Sequence, residues 1–384
     1  ALGRSGPIKH VIYITRENKT YDADLADLHP GPYSGLALFG QTVTPNLHAL
    51  ERQFVEAQAF YYPGFDSDVG HMWEDAGGVS DIYERAAALS GLSASWHMPS
   101  NYPATGLLAT QLLAAGRTVR TYNEELAQQS GLVPAIYQAD TTLYRNYDLH
   151  ISDRSREQAW ETEFNQFEAG HCTGKLATAY GAACQLPDFE YVYQGEDHTT
   201  ITDQPGYPTI QAQVADNDYA TGKLIDTVSH SRDWASTLVI VVEDDPQGTG
   251  DHLSAYHGFI AMAGPYVKRA HISTVRYSLP SVVAAIDDLM GLPPITDYAT
   301  EVRPLDDLFG TSPNLLPYTV DGTGISLNPF TPLPGASAAA DPAHGVLDFS
   351  RPDRTNPGLA WDSTWRQLRG MTQAEYLRAL RRQH

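Results

Sequence analysis

Four short stretches of this 384-residue chain concentrate residue types that do chemistry. The densest is Glu243-Asp244-Asp245, followed by Gly248, Gly250, Asp251, His252 and then His257. Three consecutive carboxylates repel one another, so holding them at the end of a buried strand costs stability unless a cation or several donors neutralise them. The adjoining Asp-His pair adds ligand types that a plain acidic turn does not need. Arg16-Glu17-Asn18-Lys19-Thr20 offers the oxygens of Glu17 and Asn18 to a hard or borderline cation, although the same residue types also cap helices and make turns. Gly195-Glu196-Asp197-His198-Thr199-Thr200 sets a carboxylate beside an imidazole. In Asp66-Ser67-Asp68-Val69-Gly70-His71 a small hydroxyl lies among acidic residues and glycine. A metal ion there would lower the pKa of Ser67 and make it a nucleophile; a turn serine stabilised by its neighbours is the competing account.

Such residues need elements to position them. Residues 10–15 (HVIYIT) and 237–242 (TLVIVV) are short, nearly continuous β-branched runs, the pattern of strands buried on both faces of a parallel sheet. Further strands are expected at residues 118–122, 189–193 and 258–263. Helical periodicity appears after Thr44 and Pro45, with Leu47, Leu50, Phe54 and Val55 inward, and again over residues 210–229. A third helix follows Ser278 and Pro280, turns Val283, Ile286 and Leu289 inward and stops at Gly291. Alternating strands and helices over residues 1–310 imply an α/β sandwich. In an open α/β sheet, ligands gather at the carboxyl ends of the strands, which is where Glu17, Asn18 and the 243–245 triplet fall.

Residues 311–384 change character: Pro and Gly accumulate through Gly335, an Ala-rich stretch follows, and periodicity returns only at Thr372. This segment reads as a surface excursion on the same domain. It ends in a short helix opened by the Thr372/Glu375 capping box and closed by Arg378, Arg381 and Arg382, whose charges favour the helix C-terminus.

Composition bounds the function. Hydrophobic residues make up 42% of the chain, enough to bury a large core. With 46 Asp+Glu against 25 Lys+Arg, the net charge of −21 repels a polyanion over most of the surface, so nucleic acid is not an expected partner. The longest aliphatic run, residues 238–242, is far short of the roughly 20 apolar residues of a spanning helix. The chain begins with Ala1, as a processed or trimmed chain would, and an export signal would lie upstream. Cys172 and Cys184, the two cysteines, stand close enough in sequence for a disulfide, which would point to an exported protein. A zinc site through Cys172, Cys184 and His171 is the alternative, without a C-x-x-C pair to support it.

Taken together, HVIYITRENKTYD, TPNLHALERQF, GFDSDVGHMW, GEDHT, VADNDYATGKLIDTVSHSRDW and TLVIVVEDDPQGTGDH follow one another as in the bacterial phosphoesterase family of phospholipases C and acid phosphatases. That family is a branch of the alkaline phosphatase superfamily, and the resemblance runs over residues 8–309. It implies a three-layer α/β/α fold, a mostly parallel central sheet, and metal ligands at Glu17, Asn18, Asp244 and Asp245. Ser67 matches the family's nucleophile, which also faces the metal; His198 and His252 match histidines lining the phosphate pocket. Asp197, Asp251, His257 and Thr20 are secondary candidates for metal or phosphate contacts. The expected activity is metal-dependent hydrolysis of a phosphoric ester, as a phosphatase or a phospholipase C, outside the cytoplasm of a bacterium. The substrate is then a small phosphoester or a phospholipid head group, and the ion Mg²⁺, Mn²⁺, Ca²⁺ or Zn²⁺. Two departures stand out. Ser254-Ala255-Tyr256-His257 replaces the family's Asp-Ala-His-Arg, and Ser67-Asp68-Val69-Gly70-His71 replaces Ser-Ala-Asp-Gly-His. A non-catalytic protein binding a metal or phosphorylated ligand on the same fold is the alternative these departures raise.

Overall fold

The two β-branched runs are neighbours at the centre of one sheet. A computed structural model describes residues 6–81, 83–84, 102–123, 131–140, 144, 147–200, 204–246 and 249–327. Among them the chain forms β1 (His10–Arg16), α1 (Tyr21–Leu25), α2 (Pro45–Gln53), β2 (Val55–Ala57), β3 (Phe60–Tyr61) and α3 (Ser67–Ala76). It continues with α4 (Leu108–Ala114), β4 (Val119–Tyr122), α5 (Asp153–Ala169), α6 (Gly174–Tyr180), β5 (Phe189–Tyr193), α7 (Ile210–Ser229) and β6 (Thr237–Glu243). After these come β7 (His257–Gly258), β8 (Ile260–Ala263), β9 (His271–Ser273), β10 (Tyr277–Ser278), α8 (Leu279–Met290) and α9 (Asp297–Glu301).

The main sheet has the order β4-β5-β1-β6-β8. Its first four strands are parallel and β8 closes the edge antiparallel to β6. Every residue of β5 and β6 is buried, as strands covered on both faces require. Helices α2 and α5 pack on α7, while α3 and α9 pack on α8. The expected mixed α/β architecture with a mostly parallel central sheet is therefore observed. The reversed direction of β8 was not anticipated: its short apolar run carries no sign of direction.

Local chemistry sets the helix ends. Ser278 precedes α8, where its N–H donates to Ser281 Oγ, and Gly291 closes the helix in the left-handed conformation. Thr44 stands at the N-cap position of α2, but its side chain does not cap the helix. Thr44 Oγ donates to Phe39 O (2.6 Å), and Asp218 of α7 instead accepts from Asn46 N and Leu47 N. A tertiary carboxylate thus caps α2. Cys172 and Cys184 form a disulfide, which removes the zinc alternative for these two residues. Tyr318, from the excursion after Gly310, is buried and donates to Asn46 Oδ1 (2.7 Å). The helix expected after Thr372 and the Ala-rich stretch lie outside the described residues, as does Gly248. No helix among the described residues is long and apolar enough to cross a membrane.

Candidate active site

The register of the two central strands places the site. Arg16 of β1 lies opposite Glu243 of β6, so Glu17-Asn18 and Asp244-Asp245 leave the sheet side by side. Asn18 takes a left-handed backbone conformation (φ 68°), which asparagine tolerates better than most residues. In this turn the Asn18 N–H donates to Asp244 Oδ1 (3.0 Å). Helix α3 then meets both strand ends. Asp66 caps it by accepting from Val69 N, which leaves Ser67 at the first helical position, beside the positive end of the helix dipole. Gly70 permits the approach, because a Cβ there would sit 2.4 Å from the backbone oxygen of Asp244.

Ser67 Oγ lies 3.4 Å from Glu17 Oε2 and 3.3 Å from Asn18 Oδ1. The same Asn18 atom lies 3.2 Å from Glu17 Oε2 and from Asp245 Oδ1, while the other end of the amide is 3.2 Å from His198 Nε2. The histidine decides which end is oxygen. His198 Nδ1 lies 3.1 Å from the carbonyl of Thr199. Burial lowers the His198 pKa, outweighing the pull of Glu17, so the ring favours the neutral form. With Nε2 protonated, the Asn18 oxygen faces His198 and its nitrogen donates to Glu17 Oε2, Asp245 Oδ1 and Ser67 Oγ; with Nε2 bare, the nitrogen faces His198 and the oxygen faces the two carboxylates and the serine. In the second arrangement the converging oxygens repel one another until a cation sits among them.

His71 completes the group. One turn after Ser67 on the same helix face, its Nε2 lies 3.2 Å from Glu17 Oε1 and 3.7 Å from Asp244 Oδ2. Its Nδ1 lies 3.2 Å from Glu74 Oε2. Burial opposes the His71 charge, but hydrogen bonds with Glu17 and Glu74 raise its pKa well above the ordinary value. Burial likewise opposes the charge of Glu17, yet His71 brings that carboxyl down to about 2. Asp244 behaves oppositely, pushed well up by burial and by the charges of Asp245 and Glu17. One imidazolium thus serves both Glu17 and Asp244, and it does not bring the Asp244 carboxyl back down. Asp244 Oδ2 is buried and accepts no hydrogen bond. Glu17, His71 and Asp244 present ligand atoms within 4.8 Å of one another. With the oxygens of Ser67 and Asp245, and that of Asn18 when His198 Nε2 is bare, this donor set fits a divalent cation.

Sequence reasoning had not assigned His71. Its spacing of four from Ser67 was the available signal, since residues four apart share a helix face. The remaining candidates lie elsewhere. Asp197 is buried behind the site, accepting from Arg16 Nε (3.1 Å) and Glu17 N (3.1 Å). Thr20 caps α1, its Oγ1 accepting from Ala23 N and donating to Gly250 O (2.9 Å). His252 pairs with Asp22 (2.6 Å) and stacks on Tyr33, while His257 pairs with Asp251 (2.8 Å). His198 alone of the expected pocket histidines is joined to Asn18, and its Nδ1 also lies 3.2 Å from Tyr147 Oη.

No protein-family description matches the chain, and no curated relative matches it. Solved structures do. A protein in the alkaline phosphatase superfamily from Vibrio parahaemolyticus is 20% identical with a TM-score of 0.51, over 79% of this chain and 72% of that one. The lipoteichoic acid synthase LtaP from Listeria monocytogenes is 12% identical (TM-score 0.49, 77% of each chain). Phosphonate monoester hydrolase SpPMH from Silicibacter pomeroyi is 13% identical (TM-score 0.47, 78% of this chain and 76% of that one). At such identities a likeness concerns the fold, and the first of these carries it: the chain has the alkaline phosphatase superfamily fold.

Proposed function

We propose that this alkaline-phosphatase-like chain is a metal-dependent hydrolase of phosphoric esters that uses Ser67 as its nucleophile. The observation that carries the reading is the convergence of Ser67 Oγ, Glu17 Oε2, the Asn18 amide and Asp245 Oδ1 at one end of the sheet. Glu17, Asn18, Ser67, Asp244, Asp245 and His71 are the residues that would hold the ion. A divalent ion there supplies charge, lowering the pKa of the serine hydroxyl and offsetting the negative charge of the phosphoryl group.

The protein's own groups do the rest. The Ser67 hydroxyl loses its proton to solvent, and its alkoxide, at the N-terminus of α3, attacks phosphorus in line with the departing oxygen. The Oγ–P bond forms as the bond to the ester oxygen breaks, and His198 in its protonated form gives that oxygen its proton. Water then attacks phosphorus, the Oγ–P bond breaks, phosphate leaves and Ser67 regains a proton. Glu74 and Tyr193 keep the frame rigid: Glu74 orients His71, and the Tyr193 hydroxyl donates to Glu17 Oε1 (2.9 Å).

The Cys172–Cys184 disulfide supports an extracytoplasmic location for this activity. The pairing of His252 with Asp22 and of His257 with Asp251 favours one competing reading, a protein that binds metal or a phosphorylated ligand without turnover. Metal content, measured together with hydrolysis of a chromogenic phosphomonoester and phosphodiester before and after chelation, separates the two. Chelator-sensitive hydrolysis is expected; bound metal without hydrolysis of either ester would favour the binding protein, and no metal under any loading condition would overturn both.

A further inference from the structure

The segment after β6 builds a second group of ligand-type side chains that shares no residue with the first. Asp22, at the start of α1, together with Asp251 and His252, presents ligand atoms within 4.8 Å of one another. The side chains of Asp22 and Asp251 are 2% and 0% exposed, whereas His252 keeps 23% of its surface. Backbone amides hold the carboxylates in place: Asp22 N donates to Asp251 Oδ2 (3.1 Å), and Asp251 Oδ1 accepts from Leu253 N (2.7 Å) and Ser254 N (3.2 Å). Asp22 Oδ2 meets both the backbone N–H (2.7 Å) and Nδ1 (2.6 Å) of His252. Asp22 Oδ1, though buried, accepts no hydrogen bond. His257 stands behind Asp251. Its Nε2 donates to the carbonyl of Gln58 (3.1 Å) and its Nδ1 faces Asp251 Oδ2 (2.8 Å), the arrangement of a residue that orients a ligand.

We propose that Asp22, Asp251 and His252 form a second metal site, for one borderline divalent ion of the zinc type, that fastens the segment after β6 to α1. Two carboxylates and one imidazole suit such an ion, whereas Mg²⁺ and Ca²⁺ take shells of oxygen alone. Three protein ligands leave a fourth position, and the exposed flank of His252 opens it to water.

The inference is independent of the hydrolase reading, and its test does not read hydrolysis. The probe is Co²⁺, added to the chelator-treated chain carrying Glu17→Gln and Asp244→Asn, which disables the first site. One equivalent is expected to bind, with visible absorption of a low-coordinate nitrogen–oxygen site and displacement by Zn²⁺. Adding His252→Gln is expected to weaken Co²⁺ binding by about a hundredfold, and Asp22→Asn by a similar factor. His252 is partly exposed, so the deciding variant does not disturb a packed core; thermal unfolding in chelator checks its fold. In the otherwise native chain, His252→Gln is expected to lower the Co²⁺ stoichiometry from two to one. Absence of Co²⁺ binding in the first-site variant, or binding unchanged by His252→Gln, would overturn the proposal.

Discussion

Arg16 and Glu17 are sequence neighbours, as are Glu243 and Asp244, yet the two pairs serve opposite ends. Arg16 and Glu243 lie opposite each other in the sheet, and the guanidinium pairs with Glu243 (3.2 Å), Asp197 (3.1 Å) and Asp24 (3.6 Å), all fully buried. Burial opposes the Arg16 charge, but these three carboxylates more than restore it. Glu17, Asp244 and Asp245 lie just beyond the sheet, where the cationic partner the structure shows for Glu17 and Asp244 is His71. In the first region the fold supplies a fixed counter-charge, the guanidinium, which three carboxyls share and which offsets only part of the upward push of burial on them. In the second it supplies too little, and that deficit is what a bound ion would fill.

Removing the reacting group is the strongest test. Ser67→Ala is expected to reduce phosphoester turnover by about a thousandfold or more while the thermal unfolding of the chelated protein stays near the parent value; full activity in this variant would sink the nucleophile assignment. Next in size is the region around Arg16. Arg16→Met leaves three carboxylates buried without their cation and is expected to cost about 3–5 kcal/mol in denaturant unfolding, with or without metal.

Glu74→Gln weakens the carboxylate that orients His71, and metal affinity, measured by competition with a chelator, is expected to fall by about 10–100-fold. A drop of this size without loss of stability would mark Glu74 as a positioning residue. Asp244→Asn should do the reverse of Arg16→Met in chelated protein. The carboxyl of Asp244 is raised well above its unfolded value of 3.8, so its charge costs stability at pH values above 3.8, and removing it is expected to raise the unfolding midpoint at pH 7. The gain should vanish as the pH falls below 3.8, and metal should no longer stabilise the variant. The mildest effect is in the pH profile. Burial sets the His198 pKa below 6.5, so the protonated acid is lost as pH rises through that lower value, and turnover should fall by up to about tenfold per pH unit above it. His198→Gln should be slow and lack this limb.

Much of this was legible in the chain. The β-branched runs at residues 10–15 and 237–242 announced buried parallel strands, because a strand covered on both faces has no polar positions to alternate. The ligand-rich ends of those runs announced a site. Asp197 and His252 were less tractable: an Asp-His pair looks the same in sequence whether it faces a substrate, a buried arginine or a neighbouring carboxylate. His71 was hidden differently. Its helix is short and its partners Glu17 and Asp244 are 54 and 173 positions away, so its spacing of four from Ser67 was the one local signal.

The sequence by itself determined the strands, the helices and the surplus of acid at the strand ends, since these follow from periodicity and local composition. Tertiary structure decided which acids share the guanidinium. Strand register turned Glu243 toward Arg16 and released Asp244 toward Asn18, and the close approach at Gly70 brought Ser67 and His71 to Glu17. Coulomb energy depends on distances of a few ångströms between residues far apart in the chain, and only the folded packing fixes those distances.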